Sequence, residues 1–191
     1  MAGDMADNVI LVGFMGAGKS SVGRILAKRL GRCFVETDDM ITAKEGRPIP
    51  EIFTVKGEPH FRALEDEAVR LLALKRGDVI ATGGGLPCQD GRVEALQALG
   101  TVVWLSGDLA TLLERARRTG DRPMLDGKTS EEIEALYKSR EPYYAKADLS
   151  VDTTRLNPDQ VAAEVWKALQ ARARPPHPAL SPTGGEGSAS R

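Results

Sequence analysis

Short apolar runs alternate with longer amphipathic stretches along this chain. Asn8–Gly13 (NVILVG) is apolar at nearly every position, the pattern of a strand buried on both faces. Lys19–Gly31 (KSSVGRILAKRLG) then puts Val22, Ile25, Leu26 and Leu30 on one helical face, and Gly31 supplies a stop. Further strands are expected at CFVET (33–37), DVIATGGG (78–85), TVVWLSG (101–107) and LSVDT (149–153). A long helix is expected over 58–77, closed by Gly77, with shorter ones near 91–99, 109–118, 130–146 and 158–171. Strands alternating with helices argue for an α/β fold of three layers, a parallel sheet covered by helices.

Between the first strand and the first helix stands GFMGAGKS, Gly13–Ser20, which fits G-x-x-x-x-G-K-[ST]. The strand before it and the helix after it are the setting that motif requires, so a ligand-free glycine turn is the weaker reading. Gly13, Gly16 and Gly18 allow the backbone to curl until several N–H groups face one point. The helix that follows adds the positive end of its dipole. Lys19 would reach the β- and γ-phosphates of a nucleoside triphosphate, and Ser20 would ligate Mg²⁺.

Ligands in such sheets bind at the carboxyl ends of the strands. The second strand ends in ETDD (Glu36–Asp39) and the third in Gly83–Gly85. The acids suit either a solvated turn or a site where one carboxylate meets a metal through water and another accepts a hydroxyl proton. The glycines suit either a plain turn or a backbone wall against a compact hydroxylated acceptor. Arg62, Arg122 and Arg140 are the cations to consider. Arg122 lies in RTGDRPMLDGKT, a Gly- and Pro-bearing loop of the kind that closes over phosphoryl-transfer sites.

Composition narrows the classes. The chain has 191 residues, enough for one well-buried core, and a formal net charge of −1, so charge offers no footprint for nucleic acid or an anionic membrane. Two cysteines, Cys33 and Cys88, and two histidines form neither a disulfide framework nor a zinc site. No apolar run is long enough to span a membrane and no secretory signal opens the chain, so a cytoplasmic setting is expected. From Arg174 onward RPPHPALSPTGGEGSASR is rich in Pro, Gly and Ser, and residues 174–191 are expected to be a disordered tail behind a domain of residues 8–173.

Taken together, GFMGAGKSSVGRILAKRL, ETDDMI, IPEIF, GEPHFR, ATGGGLP, the RP at 122–123, SREPYY and VDTTRLNP resemble the bacterial-type shikimate kinases, in the nucleoside-monophosphate-kinase-like P-loop group. The resemblance covers roughly residues 9–169. It implies transfer of the ATP γ-phosphate to the 3-hydroxyl of shikimate, on the route to chorismate and aromatic amino acids. It also implies a five-stranded parallel sheet of order 2-3-1-4-5, a lid near 119–130, one Mg²⁺ with ATP as co-substrate, and a monomer.

By that resemblance Lys19, Asp38 and Arg122 are catalytic. Gly13, Gly16, Ala17, Gly18, Lys19, Ser20, Ser21 and Arg122 surround the phosphates, while Arg118 and the Arg155–Pro158 turn hold adenine. Asp38, Gly83, Gly84 and Gly85 meet the shikimate ring, and Arg62 and Arg140 grip its carboxylate. Phe53 and Phe61 stand beside the ring or simply pack. Ser20 is the Mg²⁺ ligand, and Glu36 replaces the aspartate with which the family usually meets the metal through water. The alternatives are another small-molecule kinase of the group, for gluconate or a nucleoside monophosphate, and a non-catalytic nucleotide-binding regulator.

Overall fold

A computed structural model describes residues 7–118 and 127–172. Five strands form one parallel sheet: β1 (Asn8–Val12), β2 (Phe34–Glu36), β3 (Val79–Ala81), β4 (Gly100–Ser106) and β5 (Leu149–Asp152). Their order is β2-β3-β1-β4-β5, as expected. β1 is central, pairing Val9 with Val79 on one side and Ile10 with Val102 on the other. Ile10, Leu11 and Val12 are fully buried, which is why this strand is a continuous apolar run and not an alternating one.

Seven helices complete the described residues: α1 (Lys19–Leu30), α2 (Thr37–Glu45), α3 (Ile49–Leu72), α4 (Arg92–Gln97), α5 (Leu109–Arg118), α6 (Ser130–Tyr144) and α7 (Pro158–Arg172). α1 and α7 pack side by side, and α1 lies along β1 and β3. Two helix starts carry side-chain caps. Thr129 and Glu132 form a reciprocal capping box at the start of α6. Asn157 and Gln160 exchange side chain–backbone bonds at the start of α7, where Pro158 occupies the first helical position.

The expected elements agree with the structure except around α2 and α3. The stretch after β2 is a helix, and α3 begins at Ile49, ahead of the expected start at 58. At Gly57 (φ 78°, ψ 171°) the helical path breaks, so Glu58 opens a second half of α3, with Pro59 in its first turn where the missing N–H costs nothing. α3 also stops at Leu72 and does not run to Gly77. Leu74 and Lys75 donate to the carbonyls three residues back, a tightening that ends an α-helix.

There are two apolar clusters. The larger surrounds the sheet, with Phe14, Leu26, Ile80, Leu86, Leu105, Leu112 and Tyr144 among its buried members. The smaller joins α2 to α3 through Ile41, Ile52, Phe61, Leu64 and Ala68, beyond the β2 edge. The second cluster gives the α2–α3 pair a core of its own.

Candidate active site

All the strands point the same way, so the loops after β1, β2 and β3 meet at one edge of the sheet. The loop after β1, residues 13–18, wraps the start of α1. At Gly16 (φ 77°) two constraints coincide: the backbone is left-handed, and a methyl group there would overlap the Leu112 carbonyl of α5. Gly18, also left-handed, caps α1 without a side chain, leaving its first N–H groups facing the loop. The Lys19 ammonium folds over this loop and donates to the carbonyls of Gly13 (2.8 Å) and Phe14 (3.0 Å). Ala17 is buried under the loop, whereas Ser21 faces outward from α1.

Beside the loop, Ser20 donates its hydroxyl proton to Glu36 at the end of β2. Arg24 holds the other Glu36 oxygen at 3.3 Å. A hydroxyl and a carboxylate placed together at a phosphate loop are hard oxygen donors of the type Mg²⁺ takes, with phosphate oxygens and waters completing the shell. Glu36 therefore reaches Ser20 directly despite its extra methylene relative to aspartate. Among the described residues no group of three or more His, Cys, Asp or Glu gathers to hold a metal by itself.

A cavity of about 360 Å³ opens from Gly16, Ala17 and Gly18 toward the loop before α7. Arg155 and Pro158, both expected at the adenine end, line it. Arg118, also expected there, sits at the end of α5, 76% exposed and paired with Glu114 at 2.8 Å. Arg115, one turn earlier, lines the cavity and donates to Thr153 and to the carbonyls of Thr153, Thr154 and Leu156. Sequence reasoning did not single out Arg115; its position on the same helix three residues before Arg118 was the available signal. Arg122 and most of the expected lid lie outside the described residues.

The side expected to take the acceptor is built from four separate segments. Asp38, in the first turn of α2, lies against Gly83, where any side chain would overlap its carboxylate. Thr37 accepts from the Gly83 N–H at 2.9 Å and fixes the same turn. Arg62 from α3 and Arg140 from α6 converge on Gly85: a methyl group there would stand 3.3 Å from Arg62 Nη1 and 3.4 Å from Arg140 Nη2. The turn also approaches the phosphate loop, since a methyl group on Gly84 would lie 3.7 Å from the Gly13 carbonyl and 3.5 Å from Arg140 Nη1.

Both arginines are aimed by their neighbours. Arg62 donates from Nη1 to Glu65 (2.7 Å), and from Nε and Nη2 to Glu58 (3.1 and 2.7 Å). Glu65, 2% exposed, also accepts from Gln89 at 3.0 Å. Burial pushes the Glu65 carboxyl above the usual carboxylate range, against the pull of Arg62. For Arg62 the balance is opposite: burial works against its charge, but the bonds to Glu65 and Glu58 prevail and raise its pKa. These two acids escaped the sequence reading, although their positions four before and three after Arg62 place them on its helical face. Arg140 lies 5.8 Å from the Phe14 ring centroid, and one turn later Tyr144, fully buried, donates to the Gly84 carbonyl at 2.7 Å. Phe53 and Phe61 stack with centroids 4.5 Å apart, and Phe61 belongs to the α2–α3 cluster.

Comparison with known proteins gives this arrangement a family. The shikimate kinase family model matches residues 15–170. The chain belongs to the shikimate kinase family. It is 45% identical to the shikimate kinase of Moorella thermoacetica over 167 residues, covering 87% of this chain and 96% of that one. With the shikimate kinase of Geobacter metallireducens it shares 45% identity over 166 residues, 86% of this chain and 93% of the relative. Among solved structures, the Acinetobacter baumannii shikimate kinase in complex with shikimate superposes with a TM-score of 0.82 at 36% identity, covering 87% of this chain and 94% of that one. No helix among the described residues is long and apolar enough to cross a membrane.

Proposed function

We propose that this chain transfers the γ-phosphate of ATP to the 3-hydroxyl of shikimate, giving shikimate 3-phosphate and ADP. The observation that carries the reading is the convergence of Arg62 and Arg140 on Gly85, beside Asp38 and against the phosphate loop at Gly84. Two guanidinium groups at one point suit a carboxylate, and shikimate offers one on a compact ring. Membership of the shikimate kinase family supports the same substrate.

In this reading Gly13–Ser21 hold the phosphates through backbone N–H groups and the start of α1. Lys19 exchanges its loop carbonyls for the transferring phosphoryl and stabilises charge there. Asp38 orients the acceptor hydroxyl and takes its proton as the oxygen–phosphorus bond forms and the bond to ADP breaks. Gly83–Gly85 leave room for the ring, and Arg62 and Arg140 fix its carboxylate. Adenine lies in the cavity lined by Arg155 and Pro158, and Arg122 reaches the phosphates. Mg²⁺, held by Ser20 and by Glu36 directly or through water, would neutralise the phosphate charge.

A coupled ADP-release assay with shikimate, gluconate and AMP tests the assignment. Turnover is expected with shikimate alone. Release of ADP with gluconate or AMP and none with shikimate would reject it.

A further inference from the structure

The glycine turn on which Arg62 and Arg140 converge runs directly into residues 86–91, and that segment folds back against α3. Leu86 donates its N–H to the Gly83 carbonyl (3.2 Å) and Cys88 to the Gly85 carbonyl (3.0 Å). These two turns bring Gln89 beside Glu65. The Gln89 amide nitrogen donates to Glu65 Oε2 at 3.0 Å, and the same oxygen accepts from Arg62 Nη1 at 2.7 Å. On its other side the Gln89 amide oxygen accepts from Arg92 Nη2 at 2.9 Å. Arg92, buried at the start of α4, also pairs with Asp66 on α3.

The chemistry of the partners fixes which way the amide faces. A guanidinium only donates, so the amide oxygen must meet Arg92, and the amide N–H groups are left for Glu65. Glu65 is buried and depends on that donor. Burial favours its neutral form and the Asp38 charge adds to this, while Arg62 and Arg92 oppose both. A buried carboxylate deprived of a donor is a poorer partner for Arg62. Glu58, which holds the Nε and Nη2 side of Arg62, is exposed, and exposed pairs hold a side chain weakly. The aim of Arg62 Nη1 toward Gly85 thus rests on Glu65, and Glu65 rests in part on Gln89.

We propose that Gln89 is a positioning residue for the acceptor: by donating to Glu65 it holds Arg62 in the orientation that meets the acceptor carboxylate. The inference rests on the shikimate reading of the Arg62 site. Gln89 acts through Glu65 and Arg62 and has no part in holding the nucleotide.

The test is calorimetric titration of the full chain with shikimate and, separately, with MgADP, for the unaltered protein, Gln89→Met, Glu65→Gln and the double variant. Methionine keeps the length of the side chain and removes both amide bonds. Shikimate affinity of Gln89→Met should fall about fivefold, less than for a charged bond made to the ligand itself, with MgADP affinity within about twofold. In steady state, KM for shikimate should rise by the same factor while kcat at saturating shikimate stays within about twofold. In the Glu65→Gln background the same change should cost less than about twofold, because the group it acts through is gone. Gln89→Glu keeps the acceptor for Arg92 and removes the donor to Glu65. It should weaken shikimate binding at least as much as methionine does, and it serves as the readout if the methionine variant does not fold. Unchanged shikimate affinity in folded Gln89→Met, native affinity in Gln89→Glu, or a full fivefold loss that persists without Glu65 would each overturn the proposal. If the unaltered protein binds no shikimate, the acceptor reading itself falls and this role with it; if it binds shikimate and the variants bind equally well, only the role of Gln89 falls.

Discussion

The two halves of the candidate site are built from different materials. The nucleotide half is mostly backbone: six loop residues between β1 and α1, a helix start capped by a left-handed glycine, and a cavity wall tied down through carbonyls. The acceptor half is mostly side chains, drawn from α2, α3 and α6 onto one glycine turn. A backbone cradle is set by the strand and helix that flank it, so it is rigid and generic for phosphate. A side-chain grip depends on secondary partners, Glu58 and Glu65 for Arg62 and Tyr144 for the turn itself. In the proposed reading the acceptor grip therefore depends also on residues that never need to touch the acceptor.

The sharpest break of that division is Lys19→Ala. Lys19 is the side chain of the nucleotide half that no backbone group can replace, and its loss should lower kcat about 1,000-fold while the fold survives. Near-native turnover in a folded variant would remove the octet from the chemistry. Next is Gly83→Ala, where the added methyl must displace the Asp38 carboxylate. A shift of about 1 Å at a reacting group can cost roughly 100-fold, so kcat should fall by about that much with ADP affinity unchanged. An unaffected rate would show that Asp38 tolerates displacement and is not the base. Smaller again is Tyr144→Phe. Burial pushes the Tyr144 hydroxyl far above the usual phenol range, so it remains a donor to Gly84 at any working pH. Losing that bond should raise KM for shikimate about fivefold and leave KM for ATP alone. A rise in the ATP value instead would tie this turn to the nucleotide half.

The difference in materials also explains what could be seen in the sequence. The octet is contiguous, and a strand before it and a helix after it are strong periodic signals, so the nucleotide half was legible. The sheet order followed from the resemblance, while the parallel class followed from alternation alone. α2 was missed because Thr37–Glu45 has only Met40 and Ile41 to mark an apolar face. Its end signals were present: Asp38 and Asp39 in the first turn, Lys44 in the last, and Gly46 left-handed at the stop. The early start of α3 was hidden by Gly57, where the helical path does break, yet with helix on both sides. Arg62 and Arg140 are 78 residues apart in the numbering, and only the fold brings them to one glycine. Residues that act through others, such as Glu65, which holds Arg62, have no motif because any element that supplies the bond will serve.

The most direct test of the division between the halves is a pair of titrations on Arg62→Lys and on Arg140→Lys, one with shikimate and one with MgATP in the absence of acceptor. Lysine keeps the charge and loses the fork, so shikimate affinity should fall about tenfold per bond lost, and ATP affinity should stay within about twofold. If ATP affinity collapses while shikimate affinity holds, these arginines serve the nucleotide and the acceptor half is wrongly placed.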